Sequence, residues 1–239
     1  MPCAVQPSVP SLKIVVIDDD PTGSQTVHGA PLLLRWDPDS LAAGLRHPSP
    51  LLFVLANSRA LEPLAARERV REICRALRQA LAIAGREGVL ESWLVVSRGD
   101  STLRGHCPLE AEVIAAELGP FDATLLVPAF LEGGRTTVEG VHYLHGLPVH
   151  ETPFARDRLF GYRTSFLPAW LEEKSAGRIP AAGVGRIGLA DLDAGPEVLR
   201  GRLRELAAHR WVTVDVERPR QLAALGAALR EVTAGAGQG

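Results

Sequence analysis

The sequence is poor in lysine and carries no excess of positive charge. Its 26 basic residues face 28 acidic ones, which gives a formal net charge of -2, and only Lys13 and Lys174 are lysines. A chain with this balance lacks the positive field that holds nucleic acid or an anionic membrane surface. We therefore expect a small-molecule partner, with no nucleic acid and no membrane partner. The abundant arginine offers planar guanidinium groups, which suit a carboxylate or a phosphate.

Cysteine is also scarce. Cys3, Cys74 and Cys107 are widely spaced and form neither a CxxC pair nor an even-numbered disulfide framework, which is typical of a reducing cytoplasm rather than of secretion. The first ten residues lack the basic head and apolar core of a signal peptide, and no apolar run approaches a membrane span. The sequence predicts a soluble cytoplasmic protein.

Two common nucleotide-binding signatures are missing. There is no GxxxxGK[ST] P-loop, and neither lysine follows a glycine-rich turn. The stretch GVGRIG, residues 183–188, approaches the GxGxxG dinucleotide signature. It lies inside or ahead of a predicted strand, where that mechanism cannot operate.

Short apolar runs alternate with longer segments of helical periodicity. The predicted strands are 12–17, 31–35, 51–56, 92–97, 123–129, 185–189 and 211–216. The predicted helices are 63–84, 108–118, 165–174, 195–208 and 219–232. This alternation predicts a three-layer α/β fold, a mostly parallel sheet with helices on both faces. We expect one domain over residues 12–232, a flexible N-terminus over 1–11 and a flexible tail over 233–239.

The clearest of these helices is predicted over residues 63–84. Apolar residues recur there at spacings of three and four, with arginine and glutamate between them. The expected buried stripe comprises Leu64, Val70, Ile73, Leu77, Leu81 and Ala84.

Polar clusters directly follow four of the first five predicted strands. They are DDDPTG (18–23), NSR (57–59), RGDSTLRGH (98–106) and PAFLEGGRTT (128–137). Any one of them reads equally well as ordinary turn chemistry. Because parallel strands end at the same edge of a sheet, where ligands bind, several clusters together favour a binding site.

The triple aspartate can act in either of two ways. Adjacent carboxylates in a partly dry cleft repel, which can raise the pKa of one of them toward the working pH and make it a base. A magnesium ion would instead need ionised carboxylates. The sequence alone does not choose between these roles.

The same clusters supply groups that suit an anionic ligand. Their arginines can balance the acids and still bind an acid through paired hydrogen bonds. Hydroxyls add donors, and glycines let backbone amides approach a ligand closely. The residues concerned are Arg59, Arg98, Arg104, Arg135, Thr22, Ser101, Thr102, Gly23, Gly99 and Gly105.

Three histidines invite a metal interpretation. His142 and His145 form an H-x-x-H pair that a helical turn would place on one face, with His150 and Glu139 nearby. The spacing matches neither HExxH nor a zinc finger. We therefore predict structural or surface histidines and no metal site.

Taken together, these motifs resemble the N-terminal domain of the four-carbon acid sugar kinase family, formerly a domain of unknown function. They occur in order from about residue 12 to residue 165. The resemblance implies an ATP- and Mg²⁺-dependent kinase that phosphorylates acid sugars such as threonate, erythronate or 3-oxo-tetronate. It also implies that this N-terminal domain binds the substrate, while a C-terminal domain carries the glycine-rich loops for the nucleotide.

The resemblance assigns roles to particular residues. The family's D-D-x-T-G turn is matched by Asp19, Asp20, Thr22 and Gly23. Its [KR]-x-D-S-T-x-R-G stretch is matched by Arg98, Asp100, Ser101, Thr102, Arg104 and Gly105. Arg135 matches the arginine of its P-A-F-x-x-x-G-R segment. Ser58 and Arg59 of the NSR cluster complete the predicted substrate-binding set. Arg104 with Ser101 would clamp the sugar carboxylate, and Asp20 or Asp19 would accept the proton of the attacking hydroxyl.

Three departures from the family pattern accompany this assignment. Pro21 stands where many members have a larger apolar residue, and Leu131 replaces a common proline. The 239 residues also leave no room for the nucleotide-binding domain. We therefore expect acid-sugar binding without phosphorylation, unless a separate chain supplies the missing half. The acid sugar's stereochemistry and the oligomeric state, a homo-oligomer included, stay open.

A phosphatase of the haloacid dehalogenase class is the alternative. Four apolar residues followed by Asp18-x-Asp20-x-Thr22 fit its pattern, in which the first aspartate is the nucleophile. Ser58 and Asp100 would supply later motifs. The lysine that this class places between those motifs is missing, since positions 59 to 99 contain none. A non-catalytic acid-sugar-binding module is a further alternative.

Overall fold

The computed structural model describes residues 12–235, and these residues form two compact units. The first unit runs up to Arg98 and includes the chain end from Thr233, and the second spans Gly99–Val232. The predicted flexible segment 1–11, Cys3 and residues 236–239 lie outside the described residues.

The first unit is built on a four-stranded parallel sheet. Its strands are β1 (Leu12–Asp18), β2 (Leu32–Leu33), β3 (Leu51–Leu55) and β4 (Ser92–Arg98), in the order β2-β3-β1-β4. The β-branched run of β1 suits a pleated strand that is buried on both faces, and four of its last five residues are consecutively buried. Helices α1 (Pro38–Arg46) and α2 (Pro63–Arg86) connect these strands.

Helix α1 and strand β1 are joined by a buried lysine. The helix begins after Asp37, whose carboxylate accepts a hydrogen bond from the Ser40 amide at 2.9 Å. At its other end the ammonium of Lys13, from β1, donates to the carbonyls of His47 and Ser49, both at 2.6 Å. Burial lowers the pKa of Lys13, because it desolvates the ammonium charge.

The second unit contains a three-stranded parallel sheet and a separate three-stranded antiparallel sheet. The parallel strands are β5 (Ala123–Leu126), β9 (Gly185–Ile187) and β10 (Arg210–Val214), with β10 in the centre. The antiparallel strands are β6 (Arg135–Val138), β7 (Val141–Leu144) and β8 (Leu147–Pro148). The helices are α3 (Leu109–Leu118), α4 (Leu167–Lys174), α5 (Leu189–Asp193), α6 (Pro196–Arg204) and most of α7 (Pro219–Gly235). From Thr233 onward, α7 is assigned to the first unit and lies in the segment predicted as a tail.

The predicted α/β class, with parallel strands and helices, is confirmed. In the described residues, the parallel strands form two sheets rather than one. The PAFLEGGRTT cluster therefore follows a strand of a different sheet from the other three clusters. Arg135 lies in β6 of the antiparallel sheet and therefore does not share a sheet edge with the other three clusters.

The segment 135–148 forms hairpins rather than a loop and a helical turn. Its two tight turns, Glu139–Gly140 and His145–Gly146, have positive φ at both positions, which is the conformation that two-residue hairpin loops require. His142 lies in β7 and His145 in the turn that follows. The H-x-x-H pair thus does not lie on a helical turn, and the X-Gly dipeptides were the signal for hairpins.

Two further features bear on the cysteines and on membrane-spanning helices in the described residues. Cys74 and Cys107 are free thiols. None of the helices in the range 12–235 combines the length and the apolar character that crossing a membrane requires.

The buried stripe of α2 follows the predicted spacing with two exceptions. Val70, Ile73, Leu77 and Ala84 are buried, whereas Leu81 is only half-buried and Leu64, in the first turn, is 78% exposed. We predict that Leu77→Ala lowers the free energy of unfolding by about 2–5 kcal/mol, through lost burial and a residual cavity. Leu64→Ala should change it by less than about 0.5 kcal/mol. Urea denaturation measures both, and equal effects would contradict this assignment of the core.

Candidate functional site

The carboxyl ends of β1, β3 and β4 bring one group of charged residues together in the first unit. Asp18 is paired in register with Leu55 of β3 and with Arg98 of β4, so residues that follow these strands share one edge. We call Asp18, Asp19, Asp20, Arg59 and Arg98 the strand-end cluster. The predicted convergence of the first two clusters and Arg98 at one edge is therefore observed.

Asp18 is the most deeply placed of the three aspartates. Its side chain is fully buried, and its Oδ1 atom accepts a hydrogen bond from Nη1 of Arg98 at 3.1 Å. Gly23 makes room for this pair, because a Cβ atom there would lie 1.6 Å from the same guanidinium nitrogen. A phosphatase nucleophile must be reachable by substrate, and the burial of Asp18 does not suit that role.

Asp19 is committed to Arg59. Both of its carboxylate oxygens accept from that guanidinium, at 2.9 and 2.6 Å, and the Arg59 amide donates to the Asp19 carbonyl at 3.1 Å. Burial raises the pKa of Asp19, although Arg59 opposes the rise. The fully buried Ser58 precedes Arg59 and begins the short 3-10 helix Ser58–Ala60. This pair fixes the end of β1 to the loop after β3.

Asp20 is the accessible member of the triplet. Its carboxylate is 26% exposed and lies 3.6 Å from Arg59. Its Oδ1 atom accepts from the amide and the hydroxyl of Thr22, at 2.8 and 2.5 Å, and these hydrogen bonds lower its pKa. An ionised, partly exposed carboxylate can accept a proton or contact a cation bound with a ligand.

A second group forms around a turn in the second unit, the Asp100–Arg104 turn. Asp100 organises it: its carboxylate accepts from the amide and the hydroxyl of Thr102 and from Nε of Arg104, the last at 2.6 Å. Burial alone would raise the pKa of Asp100, but the bonds from Thr102 and Arg104 outweigh it and lower the pKa. Leu103 adopts a left-handed conformation, with φ of 65°.

Arg104 contacts the turn through Nε, which donates to Asp100 and lies 3.1 Å from the Thr102 hydroxyl. Its guanidinium stacks on Phe154 with 4.8 Å between the carbon centre and the ring, and Nη1 lies 3.9 Å from Asp157. The side chain is 31% exposed. Such an arginine can form paired hydrogen bonds with an incoming carboxylate. Sequence reasoning missed Phe154 and Asp157, and the FARD stretch that contains both was the available signal.

Arg135 is held by its own hairpin. Its Nη1 atom donates to the Gly133 carbonyl at 2.8 Å, and its guanidinium lies 5.6 Å from the Phe130 ring. Gly133 permits this close approach, since a Cβ atom there would lie 2.1 Å from Nη1. A role for Arg135 in substrate binding stays a prediction.

The histidines are engaged with protein groups. His142 is fully buried, and its ring nitrogens lie 2.9 Å from the Thr137 hydroxyl and 2.8 Å from the Ser101 carbonyl. His150 Nδ1 lies 2.7 Å from the Ser165 hydroxyl. Within residues 12–235, no group of three or more histidine, cysteine, aspartate or glutamate side chains is arranged to hold a metal ion.

Known proteins match the chain in sequence and in structure. The family described as sugar-binding N-terminal domain matches residues 14–238. The D-erythronate kinase of Heliobacterium modesticaldum is 32% identical over 152 residues, which are 60% of this chain and 32% of that protein. The chain thus matches only about a third of this relative's length.

Solved structures share the fold. A Bordetella bronchiseptica protein described as a domain of unknown function (DUF1537), solved with bound citrate as a domain-swapped dimer, is 25% identical with a TM-score of 0.66. That match covers 92% of this chain and 52% of the other. A Haemophilus influenzae protein of the same DUF1537 family is 17% identical with a TM-score of 0.60, over 94% of this chain and 57% of the other. The chain belongs to the family of sugar-binding N-terminal domains.

Proposed function

We propose that this chain binds a small acid sugar as the substrate-binding part of an ATP-dependent four-carbon acid sugar kinase. The observation that carries the proposal is the Asp100–Arg104 turn, in which a partly exposed guanidinium is oriented by Asp100 at 2.6 Å. The similarity to a D-erythronate kinase supports an acid sugar as the ligand. The citrate bound to the Bordetella protein supports a site for a carboxylate anion.

The Asp100–Arg104 turn is proposed to bind the carboxylate of the sugar. Nε of Arg104 is occupied by Asp100, which leaves the terminal nitrogens to form charge-assisted hydrogen bonds with the ligand. The hydroxyl of Ser101, which is half-buried, would add a neutral donor. Two neighbouring carboxylates, Asp100 and Asp157, hold the guanidinium in one orientation before the ligand arrives.

Asp20 is the base that we propose for the reacting hydroxyl, in preference to Asp19. Both oxygens of Asp19 already accept from Arg59, whereas Asp20 is partly exposed and held by Thr22. The lowered pKa of Asp20 keeps it ionised at neutral pH. In phosphoryl transfer such a residue orients the attacking hydroxyl and receives its proton.

The nucleotide is proposed to bind outside the matched region. The D-erythronate kinase has about two thirds of its length beyond the part that this chain matches. ATP and Mg²⁺ would then bind to a C-terminal nucleotide-binding part. A separate chain would supply that part if this one does not. A homo-oligomer also stays a proposal, for which the domain-swapped dimer of the Bordetella protein is the available precedent.

The first prediction concerns the arginine of the turn. Arg104→Ala should weaken D-erythronate binding about 10- to 100-fold, because a hydrogen-bonded charge partner of the carboxylate is lost. The affinity of Arg104→Lys should lie between those of the unaltered chain and Arg104→Ala, since lysine keeps the charge but lacks the planar guanidinium. Calorimetric titration measures the dissociation constants. The control is Arg163→Ala, at an 88% exposed side chain in the same unit, which should bind normally. Normal binding by Arg104→Ala would contradict the proposed site.

The second prediction separates the two aspartates. Asp20→Asn should lower kcat for D-erythronate phosphorylation by about 100-fold or more, because a general base is removed. Its affinity for D-erythronate should change little. The assay follows ATP consumption by the chain alone and by the chain mixed with the remaining part of the D-erythronate kinase, and we expect turnover in the mixture only.

The third prediction applies to Asp19. Asp19→Asn breaks the paired bonds to Arg59 and should lower the free energy of unfolding by on the order of 3 kcal/mol, as expected for an ion pair that loses one buried partner. Thermal unfolding measures this loss, with Asp20→Asn as the matched comparison. The proposal would be contradicted if Asp19→Asn were stable but had no turnover while Asp20→Asn stayed fully active. Asp19 would then be the base and Asp20 the structural residue.

A further inference from the structure

Two buried side chains from outside the Asp100–Arg104 turn hold its backbone. Nε2 of His142 lies 2.8 Å from the Ser101 carbonyl, and the Tyr162 hydroxyl donates to the Thr102 carbonyl at 2.7 Å. His142 is fully buried, and Tyr162 is 5% exposed. Because water has little access to either side chain, each bond fixes the carbonyl that it reaches.

The partners of His142 define its tautomer. A carbonyl oxygen only accepts, so Nε2 carries the proton that it donates to Ser101. Nδ1 is then an acceptor, and the Thr137 hydroxyl donates to it over 2.9 Å. Burial lowers the pKa of His142 to about 4, so the ring is neutral at neutral pH. A neutral imidazole with both nitrogens engaged has a positional role rather than that of a proton carrier.

The hairpin that carries His142 is itself anchored to the end of the central strand β10. Thr137 and Val216 exchange two backbone hydrogen bonds, at 2.8 and 2.9 Å. The amide of Gly140, in the hairpin turn, donates to the buried Asp215 carboxylate at 2.8 Å. Since His142 lies two residues after Gly140, these bonds connect the position of the Ser101 carbonyl to the core of the second unit.

The turn requires such support because its backbone is strained. Leu103 has φ of 65°, a region that glycine favours and a branched side chain disfavours, and its side chain is only 3% exposed. A conformation of this kind persists only where the surrounding contacts over-determine it. The bonds from His142 and Tyr162 act on the two residues directly before Leu103.

We propose that His142 and Tyr162 are positioning residues for substrate binding, an inference that rests on the proposed function of the turn. By fixing the carbonyls of Ser101 and Thr102, they keep the Ser101 hydroxyl and the Arg104 guanidinium in the orientation that receives the substrate carboxylate. Neither side chain contacts the substrate. Their loss loosens the turn and weakens binding, while the charge of Arg104 is unchanged.

Calorimetric titration of the 239-residue chain with D-erythronate tests this inference. Tyr162→Phe removes only the hydroxyl and should weaken binding about tenfold, the effect of losing one well-formed hydrogen bond. His142→Leu should have a similar effect. His142→Gln keeps an amide donor near the position of Nε2 and should restore the affinity to within about threefold of the unaltered chain.

A core variant of the same unit provides the control. Ile187, 2% exposed, lies in the parallel sheet, and Ile187→Val lowers stability without touching the turn. Its affinity should equal that of the unaltered chain. Equal losses of affinity in Ile187→Val and Tyr162→Phe would overturn the positioning role, because general destabilisation would then explain both.

The remaining outcomes separate this inference from the proposed function. Normal affinity in Tyr162→Phe and His142→Leu, with Arg104→Ala still weakened, would overturn the positioning role and leave the proposed function standing. Absence of D-erythronate binding by the unaltered chain would overturn both. If His142→Leu does not fold, Tyr162→Phe decides the question alone.

Discussion

Both candidate groups, the strand-end cluster and the Asp100–Arg104 turn, depend on aspartates that are each paired with one arginine. Moving a carboxylate out of water costs several kcal/mol unless an opposite charge and hydrogen bonds compensate. Removing one partner of a buried ion pair therefore destabilises a protein by on the order of 3–5 kcal/mol. Asp18 is paired with Arg98, Asp19 with Arg59 and Asp100 with Arg104. These pairs hold the strand ends and the turn in place before any ligand arrives.

The pairing also determines which groups are available for chemistry. In the strand-end cluster, Asp20 is the partly exposed carboxylate, because Asp18 and Asp19 are buried against their arginines. In the turn, Asp100 accepts a hydrogen bond from Nε of Arg104, and the terminal nitrogens are the ones that we propose for the anion. A triple aspartate thus provides two structural anchors and one candidate base.

The strands and their polar ends could be predicted from the sequence because both are local patterns. Residue spacing alone predicts the apolar run Ile14–Ile17 and most of the buried stripe of α2. The division of strands between two sheets could not be predicted, since buried parallel strands have the same composition whichever neighbours they pair with. The accessibility of Asp20 rather than Asp19 depends on Arg59, forty residues further on, and the role of His142 depends on a carbonyl 41 residues away.

We propose above all that the Asp100–Arg104 turn receives the acid end of a sugar. A crystal structure of the chain with bound D-erythronate tests it most directly. We expect a sugar carboxylate within hydrogen-bonding distance of the terminal nitrogens of Arg104 and the Ser101 hydroxyl, with the Tyr162–Thr102 bond retained. A carboxylate held entirely by other residues, with Arg104 unchanged and facing solvent, would contradict it.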